Sequence, residues 1–215
     1  MNNRKFNLIV LLISCWLFYG CSTARRLPAG EKLYTGSIVT VSGPSLSINE
    51  RKVLRADLKG LTRPKANSQF LGLRIKLSIY NMFRNKKASS FWGKLRDKYG
   101  EPPVLFSQVD IEKNTKILQN HLENKGYFKA KVTGDSIIRR HLARTKYKAV
   151  TGEQYSITSI HFPTDSSDLS QEIAKSSDKT LLKTGEPFDL DLIKAERLRI
   201  DDFGFRFLIH IFCCM

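Results

Sequence analysis

The sequence predicts an α+β fold, because short segments with alternating apolar residues and longer segments with helical spacing follow one another along the chain. Hydrophobic residues make up 41% and charged residues 26% of 215 residues, a composition typical of globular domains and not of disordered chains. Glycine and proline separate the segments. Their order is strand, helix, helix, strand, strand, and the same order begins again after Gly152.

The N-terminus predicts a lipoprotein export signal. Two basic residues precede an apolar segment from Phe6 to Phe18, which is too short to cross a membrane as a helix. Gly20 is the small residue that the peptidase needs before a cysteine, and Cys21 is the expected lipidation site. An ordinary secretory signal or an uncleaved anchor would also export the chain. We therefore expect a signal peptide over residues 1–20 and a lipid-anchored linker over residues 21–36.

The charge of the chain favours anionic partners. Lysine and arginine number 36 against 20 acidic residues, which gives a formal net charge of +16. Such a chain is attracted to lipid headgroups, lipopolysaccharide or nucleic acid. Export places nucleic acid last among these, and we expect no nucleic-acid partner. All four cysteines lie in the leader or in the last three residues, so the body of the chain needs no disulfide.

Residues 37–152 predict a first domain that starts with a strand and a helix. Ile38, Val39 and Val41 indicate a short strand over Ser37–Val41. A helix is expected over Glu50–Leu61, where leucines recur at helical spacing. Ser47 and Glu50 form a capping-box pattern at its start.

A basic insertion is expected at about residues 63–106. Its apolar residues fit both strand alternation and a helical face, so periodicity leaves the two conformations open. A solvated basic face and a surface for anionic lipid headgroups, with Phe91 and Trp92 at the interface, both remain open. The basic residues face a single acid, Asp97, over residues 63–98: Arg63, Lys65, Arg74, Lys76, Arg84, Lys86, Lys87, Lys94, Arg96 and Lys98.

A second helix and a hairpin complete the first domain. The helix is expected over Asp110–Lys125, with Gly126 as its C-terminal cap. Alternation predicts one strand over Phe128–Val132 and its partner over Arg144–Val150. The turn is expected near Gly134.

The second domain, residues 153–207, is expected to be truncated. Its start repeats the pattern of the first, but the closing hairpin has no counterpart, and residues 208–215 are an aberrant apolar tail. A sheet without these strands leaves an open apolar edge. The expected elements are a strand over Tyr155–Phe162 with Ile157 and Ile160 in the core, a helix over about Ser167–Lys175, and a helix over Asp189–Asp202.

The order of elements and motifs resembles POTRA domains, the periplasmic modules of outer-membrane assembly factors. In particular, the chain resembles the lipid-anchored, BamA/TamA-like assembly proteins of Bacteroidetes, from the leader to about Asp202. The motifs that carry the resemblance are Cys21, Leu33-Tyr34-Thr35-Gly36, Arg63-Pro64-Lys65-Ala66-Asn67, Leu71-Gly72, Tyr80-Asn81, Gly100-Glu101-Pro102-Pro103-Val104, Gly126-Tyr127-Phe128, Gly185-Glu186-Pro187-Phe188 and Glu196-Arg197.

The resemblance implies a binding module that adds extended segments of unfolded outer-membrane proteins to an exposed sheet edge. The expected edge is Phe128–Val132, with Lys129 and Lys131 outward and Phe128, Ala130 and Val132 on the core. The chain would be anchored in the outer membrane through acylated Cys21, facing the periplasm. A β-barrel or inner-membrane protein is an expected further partner.

The resemblance also implies a departure, because members of the family continue into further modules and a β-barrel. We expect a fragment that binds clients but cannot insert them alone. Two other functions remain open: a stand-alone outer-membrane lipoprotein adaptor, and a basic surface protein that binds lipopolysaccharide.

An enzymatic function is not expected. The four histidines are isolated, without a second histidine or cysteine at metal-ligand spacing, and no phosphate loop or nucleophile elbow occurs. We expect no catalytic residue, metal or cofactor. The histidines, expected at the surface or at an edge, are His121, His141, His161 and His210.

Overall fold

The computed structural model describes residues 27–162 and 165–213, with side chains described up to residue 202 except at Leu169. The expected signal peptide and Cys21 lie outside the described residues. Within them, helices and a three-stranded sheet confirm the α+β fold. The strands are β1 (Leu33–Ser42), β2 (Lys131–Arg139) and β3 (Leu142–Val150). The helices are α1 (Ile48–Leu61), α2 (Ile75–Phe83), α3 (Phe91–Tyr99), α4 (Ile111–Asn124), α5 (Asp168–Lys175) and α6 (Leu190–Cys213).

The sheet has the order β1-β3-β2, so β3 is central and β2 lies at one edge. β1 runs parallel to β3, because the backbone N–H of Leu33 donates to His141 (2.8 Å) at one end and that of Thr151 donates to Ser42 (2.8 Å) at the other. The two-residue connection between β2 and β3 makes that pair an antiparallel hairpin.

The described residues divide into two compact units. The strands and α4 contribute residues to both, whereas α2 and α3 belong to the first unit and α5 and α6 to the second. The expected domain boundary near residue 152 stays a prediction. The first unit holds residues 27–39, 61–114 and 134–147; the second holds residues 40–60, 115–133, 148–162 and 165–213.

Local sequence signals place the start of α1 and the end of α4. The backbone N–H of Ser47 donates to Glu50 Oε2 (2.8 Å) and that of Glu50 to Ser47 Oγ (3.3 Å), so the predicted capping box is formed. α4 ends at Asn124, and Gly126, with a φ of 86°, continues the chain in the left-handed region. The N–H of Tyr127 donates to Leu122 (2.9 Å) and that of Gly126 to Glu123 (3.0 Å), the two bonds of a Schellman motif.

A glycine shifts the alternation of β1. Tyr34 is buried before Gly36, and Val39 and Val41 are buried after it. Gly36 has a φ of 108°, which inserts a residue into the alternation and lets both segments turn apolar side chains inward. The Tyr34 hydroxyl shares a hydrogen bond with buried Thr145 of β3 (3.1 Å).

The insertion between α1 and α4 is helical where it is regular. α2 and α3 occupy the stretch for which strand and helix were both open, and strand pairing there is limited to two isolated antiparallel bridges, Phe70 with Leu73 and Leu105 with Leu33. Leu77, on the inward side of α2, is completely buried. Helical packing therefore decides what periodicity left undecided.

The predicted hairpin is in the right part of the chain but has the wrong turn. The turn is Arg140–His141, and Gly134 lies inside β2. Arg140 adopts the left-handed conformation with a φ of 52°. Arginine is not one of the residue types enriched in this conformation, so the sequence does not indicate a turn there. Gly134 sits in an exposed part of the edge strand, where few side-chain contacts are required.

The second predicted domain differs more. No strand occupies Tyr155–Phe162, where Ser156 makes only an isolated bridge with Pro187, and Ile157 and Ile160 are partly exposed. The physical reason is that its backbone partners, Gly126 and residues 185–188, are too short to form a ladder.

The helices of this part are closer to expectation. α5 begins after Ser167, which caps it by accepting from the N–H of Ser170. α6 begins near the predicted start and continues to Cys213, past the predicted end at Asp202. In the part of the chain that the structure describes, no helix is long and apolar enough to cross a membrane.

Candidate functional site

The outer edge of β2 is the candidate binding site, because β2 ends the sheet order. Arg139 and Leu142 flank the two-residue turn and therefore form a pair that exchanges both backbone hydrogen bonds. From this register, Thr133, Asp135 and Ile137 also bond to β3. The intervening residues turn their N–H and C=O groups away from the sheet: Val132, Gly134, Ser136 and Ile138.

The start of this outer edge is already occupied by a side chain. Gln119 of α4 donates from Nε2 to the carbonyl oxygen of Ala130 (3.0 Å) and accepts at Oε1 from the N–H of Val132 (3.2 Å). Its amide thus makes the two bonds that a neighbouring strand would make. The outer edge available to a partner therefore begins after Val132, and we call residues 134–138 the free edge.

The strand predicted over Phe128–Val132 therefore starts later in the structure than the sequence suggested. Phe128 and Lys129 lie in a turn, the N–H of Ala130 donates back to Tyr127 (3.0 Å), and only Lys131 and Val132 belong to β2. Lys129 and Lys131 are exposed, and Ala130 and Val132 are buried, as expected.

Phe128 was expected in the core but is 47% exposed. Its ring packs edge-on against Tyr155 (centroids 5.2 Å apart) and Phe188 (4.9 Å). The Schellman motif at Gly126 explains this position: it buries Tyr127 and turns the chain before the strand starts. Gly126 itself approaches Phe188 and Tyr155 so closely that a Cβ there would lie 3.0 Å from the Phe188 carbonyl oxygen.

The outer side of β1 is covered at its start by the chain itself. The N–H of Tyr34 donates to Val104 (2.9 Å) and that of Phe106 donates to Lys32 (2.9 Å). Buried Asn67 holds this segment, because its Nδ2 donates to Pro102 (2.7 Å) and its Oδ1 accepts from the N–H of Val104 (2.9 Å).

The Gly100, Pro102 and Pro103 motif therefore has a structural role beside β1. The N–H of Gly100 donates to Arg96 (2.7 Å), and any side chain at Gly100 would collide with that carbonyl oxygen. Pro102 and Pro103 deliver the chain to Val104. Asn67 stands in one of the motifs of the resemblance, which implied no role for it, and sequence patterns gave no signal for Gln119. Each acts through main-chain groups that lie more than ten residues along the chain.

The free edge carries little steric obstruction. The N–H of Ser136 donates to the side chain of Asp135 (2.6 Å), and Ile138 is exposed. These groups face solvent, so a partner strand could replace the Asp135 side chain as the acceptor of the Ser136 N–H. Gly134 adds no side chain to the edge.

A concave surface of about 310 Å³ lies beside the free edge, on the face of the hairpin that carries Ile137. An incoming strand would place alternate side chains over this face. The apolar side chains of this surface could contact apolar side chains of the incoming strand, and its arginines supply positive charge. The residues that line it are Thr35, Ile38, Ile137, Arg139, Leu142 and Arg144.

Positive charge concentrates around this concavity. Arg144 donates from Nε to Thr35 Oγ1 (3.1 Å), which fixes its guanidinium group. Burial, together with the positive charge of Arg144, lowers the pKa of Arg74. Arg74 and Arg144 repel each other, and an acidic or strongly polar group on a partner segment would reduce this repulsion. The concavity therefore favours a partner segment with such groups.

Possible metal ligands lie apart from one another in the described part of the chain. No three histidine, cysteine, aspartate or glutamate side chains come together there as metal ligands. His141 lies in the hairpin turn and His161 is exposed, whereas the His210 side chain is not described. His121 differs from the expected surface position, because its Nε2 is buried and has no hydrogen-bond partner in the structure.

Comparison of the chain with protein-family models, with curated proteins and with solved structures finds no match. The geometry of the free edge is therefore the basis for the functional inference.

Proposed function

We propose that this chain is a POTRA-type binding module of an outer-membrane protein assembly factor, which binds extended client segments along the free edge of β2. The observation that carries the proposal is the outward direction of the backbone groups of Gly134, Ser136 and Ile138 in an edge strand without a neighbour in the described structure. Such an edge accepts another strand through main-chain hydrogen bonds.

The order of elements supports the family named in the proposal. β1, α1, α4, β2 and β3 follow one another as strand, helix, helix, strand and strand, and α2 with α3 is an insertion between the two helices. This is the order on which the resemblance to POTRA domains rests. Of the motif residues, Gly126 ends the connection from α4 towards β2, whereas Asn67 and Gly100 hold the chain of the insertion.

The proposed mode of binding is weak and tolerant of sequence. Each main-chain hydrogen bond contributes about 1 kcal/mol net, and an ordered client segment loses conformational entropy. Alternate client side chains would rest on Ile137 and Leu142, with Arg139 and Arg144 beside them. Weak binding suits a factor that must release its clients.

The proposal places the module in the periplasm, anchored in the outer membrane through acylated Cys21. Its proposed partners are unfolded outer-membrane proteins and a β-barrel or inner-membrane protein that acts with it. The proposal assigns no enzymatic activity.

A proline in the free edge tests the proposal. Ser136→Pro removes one outward N–H and places a ring where the client backbone would approach, while edge strands tolerate proline. We expect the full chain in detergent to bind a synthetic peptide with alternating apolar residues roughly tenfold more weakly. Fluorescence anisotropy of the labelled peptide measures the affinity.

Asp135→Ala is the matched control, because it removes the side-chain acceptor of the Ser136 N–H but keeps that N–H. This variant should bind the peptide at least as well as the unchanged chain. A folded Ser136→Pro chain that binds with unchanged affinity would exclude the free edge as the client site. Circular dichroism establishes that each variant is folded.

A further inference from the structure

A basic and apolar surface lies at the loop end of the hairpin formed by α2 and α3. No aspartate or glutamate occurs between Asp57 and Asp97, so this end of the hairpin carries no acidic side chain. Met82 is 66% exposed and Phe91 is 71% exposed. We call this the hairpin-end surface, and its residues are Met82, Arg84, Lys86, Lys87, Phe91 and Lys94.

Specific contacts hold the loop end of the hairpin in place. Arg96 of α3 donates from Nη1 to the carbonyl oxygens of Arg84 (3.1 Å) and Lys86 (3.0 Å). Ser90 caps α3 by accepting from the N–H of Gly93 (3.0 Å). Gly93 carries no side chain because a Cβ would collide with the carbonyl oxygen of Lys87.

An aromatic stack adds to this framework. The rings of Phe83 and Trp92 are stacked with centroids 4.9 Å apart, and Trp92 contacts Phe91 edge-on at 5.3 Å. Packing against the hairpin thereby buries about half of the Trp92 side chain, whereas most of the Phe91 side chain stays exposed to solvent. The exposed phenyl ring is thus held by a packed neighbour, and its exposure is a property of the folded hairpin.

The described chain starts next to this surface. Leu27 lines a concavity of about 520 Å³ together with Met82, Arg84 and Asn85. Leu27 follows Cys21 by six residues, which span at most roughly 20 Å when extended. A lipid on Cys21 would therefore keep the hairpin-end surface within reach of the bilayer.

We propose that the hairpin-end surface docks on an anionic phospholipid bilayer, with Phe91 and Met82 at the interface and the lysines on headgroup phosphates. The inference rests on the lipid anchor of the proposed function but not on client binding at the free edge. Exposed apolar side chains beside a cluster of cations are typical of peripheral membrane surfaces. Each lysine near an anionic surface raises the ratio of docked to undocked chains roughly fivefold.

Trp92 is a natural reporter of this docking. The chain contains two tryptophans, and because Trp16 lies in the expected signal peptide, Trp92 is the tryptophan that remains in the acylated chain. The chain acylated at Cys21 is reconstituted in phosphatidylcholine vesicles with and without phosphatidylglycerol, in which some lipids carry bromine near the headgroup end of their acyl chains. We expect bromine to quench Trp92 in the anionic vesicles and to quench it little in the zwitterionic vesicles or at high salt.

Two double variants separate a local surface from net charge. Lys86→Gln with Lys87→Gln should lower the ratio of docked to undocked chains roughly thirtyfold. Lys146→Gln with Lys148→Gln, which changes the net charge equally on the exposed sheet face, should leave quenching unchanged. All samples carry the same acylated Cys21.

Three results would each overturn the proposal: no quenching in any vesicle, equal quenching in zwitterionic vesicles, or equal loss in both double variants. Peptide binding measured on the same samples keeps the two proposals apart. A chain that binds the peptide but does not dock contradicts only this inference. A chain that docks without binding the peptide contradicts only the proposed client site.

Discussion

At the scale of single residues, buried polar side chains hold the loops of this chain. Glu196 of α6 is almost fully buried and accepts from Arg199 Nη2 (2.8 Å) and Nε (3.0 Å). Its carboxylate also accepts from Thr180 Oγ1 (2.9 Å) and from the N–H of Leu181 (2.9 Å). One carboxylate thus joins α6 to the chain that follows α5.

These bonds predict a pH dependence. The Arg199 guanidinium, followed by the Leu181 and Thr180 donors, outweighs burial and lowers the pKa of Glu196 from 4.5 to about 2. The folded state therefore binds this proton less readily than the unfolded state does. The contribution, about 3 kcal/mol at most, is complete above roughly pH 4.5 and is lost as the pH falls towards 2.

Glu196→Gln tests this contribution. We expect the variant to be less stable at neutral pH and to lose less stability between about pH 4.5 and 2 than the unchanged chain, measured by urea unfolding. Comparing the two chains cancels the other carboxylates that titrate in this range. Parallel curves for both chains would show that Glu196 contributes nothing to the acid sensitivity.

At the scale of elements, local signals predict helix ends better than strand register. Ser47 with Glu50, and Gly126, act on groups within a few residues, and the structure has both caps where the sequence predicts them. The register of β2 depends on a turn at Arg140, in a left-handed conformation that no sequence pattern announces. The amide of Gln119 then decides which part of β2 is open, and this contact depends on the packed fold.

Gln119 should therefore control the length of the free edge. Gln119→Ala leaves the Ala130 carbonyl and the Val132 N–H without their partner, so we expect a loss of about 1–2 kcal/mol in the free energy of unfolding. The Val132 amide should also exchange with solvent faster, as measured by hydrogen–deuterium exchange.

Gln154→Ala is the matched control, because Gln154 makes a side-chain bond to a backbone carbonyl, that of Lys125 (2.8 Å), away from β2. It should leave the exchange of Val132 unchanged. Unaltered exchange of Val132 in Gln119→Ala would mean that the side-chain amide does not close the edge.

At the scale of the whole molecule, the sequence predicts the α+β class and the edge strand of the hairpin, but not the open part of that strand. The expected edge at Phe128–Val132 and the free edge at residues 134–138 are neighbours in one chain segment. The difference arises because the backbone N–H groups of Tyr127, Ala130 and Val132 already have hydrogen-bond acceptors, which only the folded chain supplies. The sequence shows the excess of positive charge, and the fold shows that basic residues cluster beside the free edge and on the hairpin-end surface.

The central claim is that an extended client adds a strand to β2 at residues 134–138. The most direct measurement is amide hydrogen exchange of the full chain, resolved by residue, with and without a saturating client peptide. We predict slower exchange at Gly134, Ser136 and Ile138, whose N–H groups point away from β3, and no change at Val132, which is bonded to Gln119. Bound peptide without added protection at these three amides would contradict the claim.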